Sequence, residues 1–353
     1  MALIPNIREV TERTVRWMRR PLIQRHPGAV AFVDSTMQNR EILAVSWSMT
    51  SVCNYKCSYC PDYLHDGRSK FPDPEAAFRT VDRLHDVAER KGWGLWLDLS
   101  GGEASLWPHF EAFVNYARSK SARIGLNSNG SRPLDFWKRV GPTLASLHLS
   151  FHTEYGDPDA FCRVVELMGA MPEMQLGVSV MALPERFDLA EAVMERVAAL
   201  SCCSLVLEPL FHDLGFNGER LASYSPRQER LLAHTGGVPN KIRTPRHQFT
   251  QILKNGERVE MSSHRMRAEG RNGWRGWRCH AGRENLCIDA YGTVYRGWCQ
   301  EGGRVGSIAD PDLDLDLEPI ICDKSYCHCL FDMAATKTRI GKSHESLRIL
   351  DEA

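Results

Sequence analysis

No run of apolar residues in this 353-residue chain approaches the ~20 uncharged positions needed to cross a bilayer, so a helical membrane span is excluded. Net charge is also lacking. Lys plus Arg and Asp plus Glu stand at 44 each, which leaves no overall field drawing the protein to nucleic acid or acidic lipid, and no specific nucleic-acid signal. The N-terminal stretch has no uninterrupted apolar segment, being broken by Arg8, Glu9, Glu12 and Arg13. Export is therefore not expected and a cytoplasmic location is. Disorder is excluded by a composition that is 43% hydrophobic and 25% charged. The length asks for roughly two domains, or one large α/β unit with an appendage. In a reducing compartment the twelve cysteines are poor disulfide candidates, and are better read as metal ligands, catalytic thiols or core residues.

Short apolar runs at 44–50, 95–100, 123–127, 144–151, 175–181 and 204–210 read as strands. The intervals carry helical spacing. Phe78, Val81, Leu84 and Ala88 follow Asp73-Pro74; Phe110, Phe113, Val114 and Ala117 form a second stripe; Phe161, Val164, Val165 and Met168 follow Asp157-Pro158. Asp before Pro supplies a helix N-cap and a residue tolerated at the first helical position. Six strands alternating with helices imply an α/β fold with a parallel sheet, open or curled into a partial barrel. The active site then belongs at the carboxyl ends of the strands.

The first strand is followed by Cys53-Asn-Tyr-Lys-Cys57-Ser-Tyr-Cys60. Three thiolates so close cannot complete a structural zinc site, which almost always has four ligands. An iron–sulfur cluster tolerates three and leaves one iron open to a substrate or cofactor. Gly101-Gly102-Glu103 follows the second strand and Asn127-Ser128-Asn129-Gly130 the third. Either alone is an ordinary turn signal; their order after successive strands carries the weight. Ser150 and His152 share one face at the end of the fourth strand, where His152 is a candidate cofactor or substrate contact, while His148 reads as a core or satisfied polar residue.

These residues resemble the radical S-adenosylmethionine (SAM) superfamily, whose signature has this cysteine spacing with an aromatic residue, here Tyr59, before the third cysteine. The resemblance covers about residues 44–212 and implies a partial (β/α)6 barrel. It implies a [4Fe-4S] cluster on Cys53, Cys57 and Cys60, with the open iron chelating the amino and carboxylate groups of SAM. Gly101, Gly102 and Glu103 would hold the methionine end, and Asn127, Ser128 and Asn129 the ribose or carboxylate, with Tyr59, Ser150 and His152 as further cofactor contacts. Reductive cleavage of SAM would give a 5′-deoxyadenosyl radical that abstracts hydrogen from a peptide or small-molecule substrate. An electron donor such as flavodoxin or ferredoxin would be the partner. No catalytic acid or base is assigned. A non-catalytic iron–sulfur protein for electron transfer or sensing is the other class, and a pure electron carrier gains nothing from a vacant iron position.

The C-terminal third differs. Positions 237–279 carry net +7 and positions 284–323 net −7, so the two segments are expected to face solvent or each other, with a phosphate-bearing substrate as an alternative for the basic side. Cys279, Cys299, Cys322, Cys327 and Cys329 surround an alternating IDAYGTVY run that reads as a hairpin turning at Tyr291-Gly292. This is similar to the SPASM or twitch type of domain, which implies one auxiliary [4Fe-4S] cluster on Cys279, Cys299, Cys322 and Cys327, with Cys329 as the substitute. A four-thiolate zinc site uses the same residue types. Cys287, within Leu286-Cys287-Ile288, reads as core, and Cys162, Cys202 and Cys203 as buried thiols. The expected organisation is an extension over 1–43 with a helix packed on the barrel or its mouth, a barrel over 44–236, and a small cysteine-rich β-hairpin auxiliary-cluster domain with a tail over 237–353.

Overall fold

A computed structural model describes residues 30–34, 41–212, 220–235, 248–253, 255–263, 266, 271–327 and 329–339. After an initial strand β1 (Val30–Asp34), strands and helices alternate: β2 (Ile42–Ser48), α1 (Pro74–Arg90), β3 (Gly94–Ser100), α2 (Phe110–Ser119), β4 (Arg123–Ser128), α3 (Leu134–Val140), β5 (Ser146–Phe151), α4 (Pro158–Gly169), β6 (Gln175–Met181), α5 (Phe187–Leu200) and β7 (Ser204–Glu208). A further helix, α6, spans Pro226–Thr235. From β2 to β7 the strands lie in chain order, each parallel to its neighbour. The α/β parallel run expected from the sequence is present, with its first strand starting at Ile42 and not at 44. The last strand ends at Glu208, before Pro209, which has no amide to continue the ladder.

The helix starts have the expected chemistry. Asp73 accepts the Ala76 amide at 2.9 Å and Asp157 the Ala160 amide at 2.8 Å, each before a proline at the first helical position. Period-two alternation then divides each strand between two environments. Leu43, Val45 and Trp47, Leu97 and Leu99, Leu147 and Leu149, and Val178 and Val180 pack under the helices, where Phe113 meets Trp47 edge to face at 5.6 Å. The opposite face carries Ser46, Asp98, Asn127, His148, Ser150 and Glu208, and several of these are only half-buried although they lie on inner strands. Polar residues in alternation line an opening at the carboxyl ends of the strands.

The remaining elements are β8 (Gln248–Leu253), β9 (Arg258–Ser262), β10 (Trp277–Cys279), β11 (Asn285–Ile288), β12 (Thr293–Tyr295), β13 (Arg304–Ser307), β14 (Ile320–Ile321), α7 (Leu330–Met333) and β15 (Lys337–Arg339). The hairpin expected at Tyr291-Gly292 forms between β11 and β12: the Asp289 carboxylate accepts the Tyr291 and Thr293 amides at 2.9 Å, and Gly292 takes φ +75°. It does not lie in a sheet of its own. β11 pairs in parallel with β2, Cys287 opposite Ser46, and extends the parallel run into a nine-stranded sheet ordered β13-β12-β11-β2-β3-β4-β5-β6-β7. The Trp298 indole N–H donates to Ser46 Oγ at 2.9 Å and fixes the hairpin to β2.

An antiparallel second sheet, ordered β14-β10-β15-β1-β8-β9, covers a smaller core that includes Phe249, Trp274, Cys279, Cys322, Cys327 and Met333. Residues 30–34, placed by sequence in an extension with a helix, form a central strand of this sheet. Val30-Ala-Phe-Val is β-prone, but its partners β8 and β15 lie more than 200 positions away, out of range of any local pattern. Six members of the basic segment, Lys241, Arg243, Arg246, Lys254, Arg265 and Arg267, lie outside the described residues. Arg275 meets Asp323 at 3.8 Å, whereas Asp316 pairs at 2.7 Å with Lys91 just after α1. The acidic segment is thus partly anchored to a barrel helix. Among the described residues no helix is long and apolar enough to cross a membrane.

Candidate cluster and cofactor site

The loop after β2 carries the three cysteines and is tied down from three sides. Gly102 N donates to Thr50 O at 2.7 Å and Glu103 N to Val52 O at 2.8 Å, which presses the end of β3 against the chain entering the loop. Only glycine fits there. A Cβ on Gly101 would stand 2.5 Å from Thr50 O, and one on Gly102 would stand 2.4 Å from Val52 O. From the β4 end, Asn129 Nδ2 donates to Asn54 Oδ1 at 2.9 Å and approaches Cys53 Sγ at 3.9 Å. Beyond β5, Glu154 Oε2 accepts the Ser58 amide at 2.8 Å, and Tyr155 donates to Lys56 O at 3.1 Å. Tyr59 and His152 share a 2.9 Å hydrogen bond at Nδ1 with their rings stacked.

A cavity of about 150 Å³ lies over this loop, lined by Cys53, Cys57, Cys60, Gly101, Gly102, Asn127, Ser128, Asn129, Ser150 and His152 among others. Elements separated in sequence thus meet at one place. Tyr59 supports His152 from beside the cavity, and Glu103 lies behind its wall. The carboxylate expected to meet an ammonium is occupied by four protein donors: Ser105 N at 3.3 Å, Ser105 Oγ at 2.5 Å, Ser128 Oγ at 2.9 Å and Asn129 N at 2.7 Å. Glu103 is 0% exposed, and burial raises its pKa against the pull of these donors. Among the described residues Asn127 and Ser150 make no side-chain hydrogen bond, which leaves their polar groups available to a ligand.

The electrostatics of the cysteines follow from burial. It pushes the Cys57 thiol up to about 12, Cys60 to about 11, and Cys53 upward, so thiolates form here readily only when a metal replaces the proton. Burial also lowers His152 and His148 to about 4, so both are neutral near pH 7. His148, read as core or satisfied, lies on the sheet face opposite the helix-packed leucines and shares a 3.0 Å hydrogen bond with Ser179 Oγ.

Cys279, Cys322 and Cys327 are buried in the smaller core, and Cys299 and Cys329 are half-buried. Cys322 N donates to Trp277 O at 2.8 Å and Cys327 N to Asn272 O at 2.7 Å, which brings both chain segments beside β10 and Cys279. Burial raises all four thiols of the expected set, and neighbouring cysteines add to it: Cys322 acts on Cys279, Cys279 and Cys322 on Cys299, and Cys329 and Cys279 on Cys327. Cys279, Cys322 and Cys327 share the smaller core, and Cys327 Sγ approaches Cys329 O at 4.0 Å. Cys287 is buried on the sheet face opposite Leu286 and Ile288, while Cys162, Cys202 and Cys203 are half-buried against the helices, less covered than expected. Among the described residues no three His, Cys, Asp or Glu side chains are arranged to hold one metal ion. Thiolates that each bind a different iron stand farther apart than ligands sharing one ion, so that finding bears on the zinc alternative and not on a cluster.

Residues 47–171 match the family model of the Radical SAM superfamily. The match covers about a third of this chain. Two curated relatives, the GTP 3′,8-cyclases of Stenotrophomonas maltophilia strains K279a and R551-3, are each 29% identical over 109 residues, which is 29% of this chain and 32% of theirs. The matched part spans about a third of those relatives. Among solved structures, anSMEcpe with bound AdoMet is 15% identical with a TM-score of 0.46, covering 78% of this chain and 81% of its own. Streptococcus suis SuiB bound to S-adenosylmethionine is 13% identical with a TM-score of 0.46, covering 77% and 65%.

The matched segment holds all three cysteines and the GGE and NSNG motifs, and it ends within the segment following α4. Sequence reasoning missed several residues. Asn54, Glu154 and Tyr155 hold the loop through contacts that only the fold creates. Glu208 is the other. It is a half-buried carboxylate at the end of β7, raised by burial and without a side-chain partner among the described residues. The position-by-position alternation in β7 was its only sequence signal.

Proposed function

We propose that the protein is a radical SAM enzyme in which Cys53, Cys57 and Cys60 hold a [4Fe-4S] cluster and the cavity above them takes SAM. The observation that carries this reading is the convergence of the three thiols with the half-buried Gly101-Gly102 turn and the uncommitted polar groups of Asn127 and Ser150. The donor set suits a group bound by three thiolates with one position left to a ligand. When bound and reduced, the cluster with SAM supplies a 5′-deoxyadenosyl radical that removes a hydrogen atom from substrate. Gly101 and Gly102 let the cysteine loop pack against the end of β3 and line the cavity where the methionine end would lie, Asn127 and Ser150 offer hydrogen bonds, and His152, neutral and braced by Tyr59, closes one wall. Glu103 acts through Ser128 and Asn129 as a positioning residue. The test is anaerobic reconstitution followed by chromatography for 5′-deoxyadenosine. Production by the parent and none by Cys57→Ala supports the reading, and equal production by both overturns it.

In the C-terminal third, Cys279, Cys299, Cys322 and Cys327 would hold one auxiliary [4Fe-4S] cluster, with Cys329 as the substitute ligand, so the loaded protein should contain about eight irons, four per cubane. Three buried thiols in one core, Cys279, Cys322 and Cys327, with the half-buried Cys299, support this, and a stoichiometric zinc with four irons would overturn it. A second cluster gives the substrate radical an electron acceptor, and the outcome read here is a net two-electron oxidation of a peptide or small molecule, with a flavodoxin or ferredoxin as electron donor. The likeness to GTP 3′,8-cyclases stops at about a third of their length and does not choose the substrate. Cys202 and Cys203 lie just before β7, at the end of the strand away from the cavity, and Cys162 lies on α4, which removes the obvious thiols for a redox-neutral epimerisation. Mass spectrometry decides. A product two hydrogens lighter, formed one for one with 5′-deoxyadenosine, supports oxidation; an isobaric product carrying solvent deuterium overturns it and directs attention to Cys287.

A further inference from the structure

Lys337 is 1% exposed, in the middle of the smaller core. In the antiparallel ladder it lies directly opposite Cys279, so the two side chains leave the sheet on the same face, at the separation of a cross-strand pair. Its Nζ donates to Asp332 O at 2.8 Å, Met333 O at 3.1 Å and Ala335 O at 2.8 Å, and stands 5.5 Å from the centre of the Trp274 ring. These contacts use all three ammonium donors. They supply no net charge. Among the described residues no carboxylate lies within ion-pair distance of Lys337, the buried Asp332 carboxylate accepting instead from the Asn285 side chain and the Cys299 amide, and a buried cation without a paired anion is costly.

Besides the buried Asp332 carboxylate, which acts on Cys279 and Cys327 in the sense opposite to Lys337, the groups able to supply negative charge are the cysteines. Lys337 acts electrostatically on Cys279, Cys322 and Cys327, favouring the thiolate of each against burial. Four thiolates around an iron–sulfur core make an anion, and reduction adds one more negative charge. A fixed cation beside it stabilises both states and the reduced one more, which raises the reduction potential. We propose that Lys337 is the counter-charge of the C-terminal cluster and sets its potential high enough to accept an electron from the substrate radical. This rests on the auxiliary-cluster reading. A lysine that only capped the carbonyls at the end of α7 would not distinguish an oxidised from a reduced cluster.

The full-length chain carrying Cys53→Ala, Cys57→Ala and Cys60→Ala isolates the second cluster for potentiometric EPR. Lys337→Gln keeps a hydrogen-bond donor of similar reach without charge, and Lys337→Arg keeps the charge. At the parent's midpoint the reduced-to-oxidised ratio should fall about tenfold in the Gln variant, which is 59 mV for a one-electron couple, and stay near parity in the Arg variant. An unchanged ratio in Lys337→Gln, at unchanged iron content, overturns the proposal. Folding gives a second reading. Lys337→Gln should lower the unfolding midpoint of the loaded protein more than that of Cys279→Ala, which lacks the cluster; equal loss in both, including no folded protein in either, marks a carbonyl cap and overturns the proposal. A parent with about four irons removes the cluster itself, whereas eight irons with no shift removes only the role of Lys337.

Discussion

Replacing Glu103 by Gln changes one oxygen for an NH2 group and nearly no volume, at a side chain that is 0% exposed. In the parent, Oε1 accepts from Ser105 N, Ser105 Oγ and Ser128 Oγ, and Oε2 accepts from Asn129 N at 2.7 Å. Glutamine can keep only one of these oxygens. If it faces Ser105 and Ser128, its NH2 opposes the Asn129 amide, donor against donor, in a buried place. A hydrogen bond to a charged group is worth about 1.5–3 kcal/mol, and leaving a buried donor unsatisfied costs about 1–3 kcal/mol, so a loss of about 2–4 kcal/mol is expected locally. Asn129 also holds Asn54 in the cysteine loop, so the loss is transmitted to the cavity. If half of it reaches the ligand, SAM affinity falls roughly 5- to 30-fold at 1.4 kcal/mol per factor of ten. Two assays on apo and loaded protein separate the alternatives: denaturant unfolding and calorimetric SAM titration. A carboxylate that met the ammonium directly would lose SAM affinity and leave apo stability unchanged. An apo Glu103→Gln protein with the parent's unfolding midpoint would refute the clamp.

Four further outcomes follow from the same geometry. Cys57→Ala should abolish 5′-deoxyadenosine formation and lower the iron content from about eight to about four, read by iron assay and chromatography. Gly102→Ala, whose methyl would meet Val52 O at 2.4 Å, should displace the cysteine loop and destabilise by about 1–3 kcal/mol, with cluster loading reduced in parallel. Because burial raises the cysteine thiols, cluster assembly on apo protein should improve from pH 7 to pH 9; iron uptake independent of pH over that range would contradict it. His148 is lowered from 6.5 to about 4, so the unfolded chain takes up the proton first and stability, full above about pH 6.5, should fall as pH drops toward 4. His148→Gln should flatten that fall in unfolding curves taken across the window.

The parallel sheet and its site were legible because each signal was local. The Asp-Pro helix starts, the strand alternation and the three motifs each occupy fewer than ten residues, and successive parallel strands place whatever follows them at one end of a sheet. Assigning Ser150 and His152 to the same cavity needed only the period of two. What escaped depended on long-range pairing. Nothing around Val30-Ala-Phe-Val specifies β8 or β15, and nothing in the Leu286 segment specifies β2. Glu103 shows the other limit: its residue type allowed a partner for an ammonium, but the direction of its side chain is set by Ser128 and Asn129, two dozen positions later.

The insertion of β11 beside β2 carries a cost in folding and in protein engineering. Before β11 arrives, β2 presents an unpaired edge rich in Leu, Val and Trp, and that edge must wait for a segment about 240 positions downstream. Such a non-local partner slows folding and prolongs exposure of a strand able to pair with another chain. The parallel-sheet segment should therefore not be recoverable by cutting after residue 236: a 41–236 fragment should accumulate as aggregate, and adding 271–339 in trans should recover soluble protein only where strand insertion outpaces self-association. During synthesis the same edge leaves the ribosome long before its partner, which makes insertion of the hairpin carrying Cys287 the last step in assembling the parallel sheet.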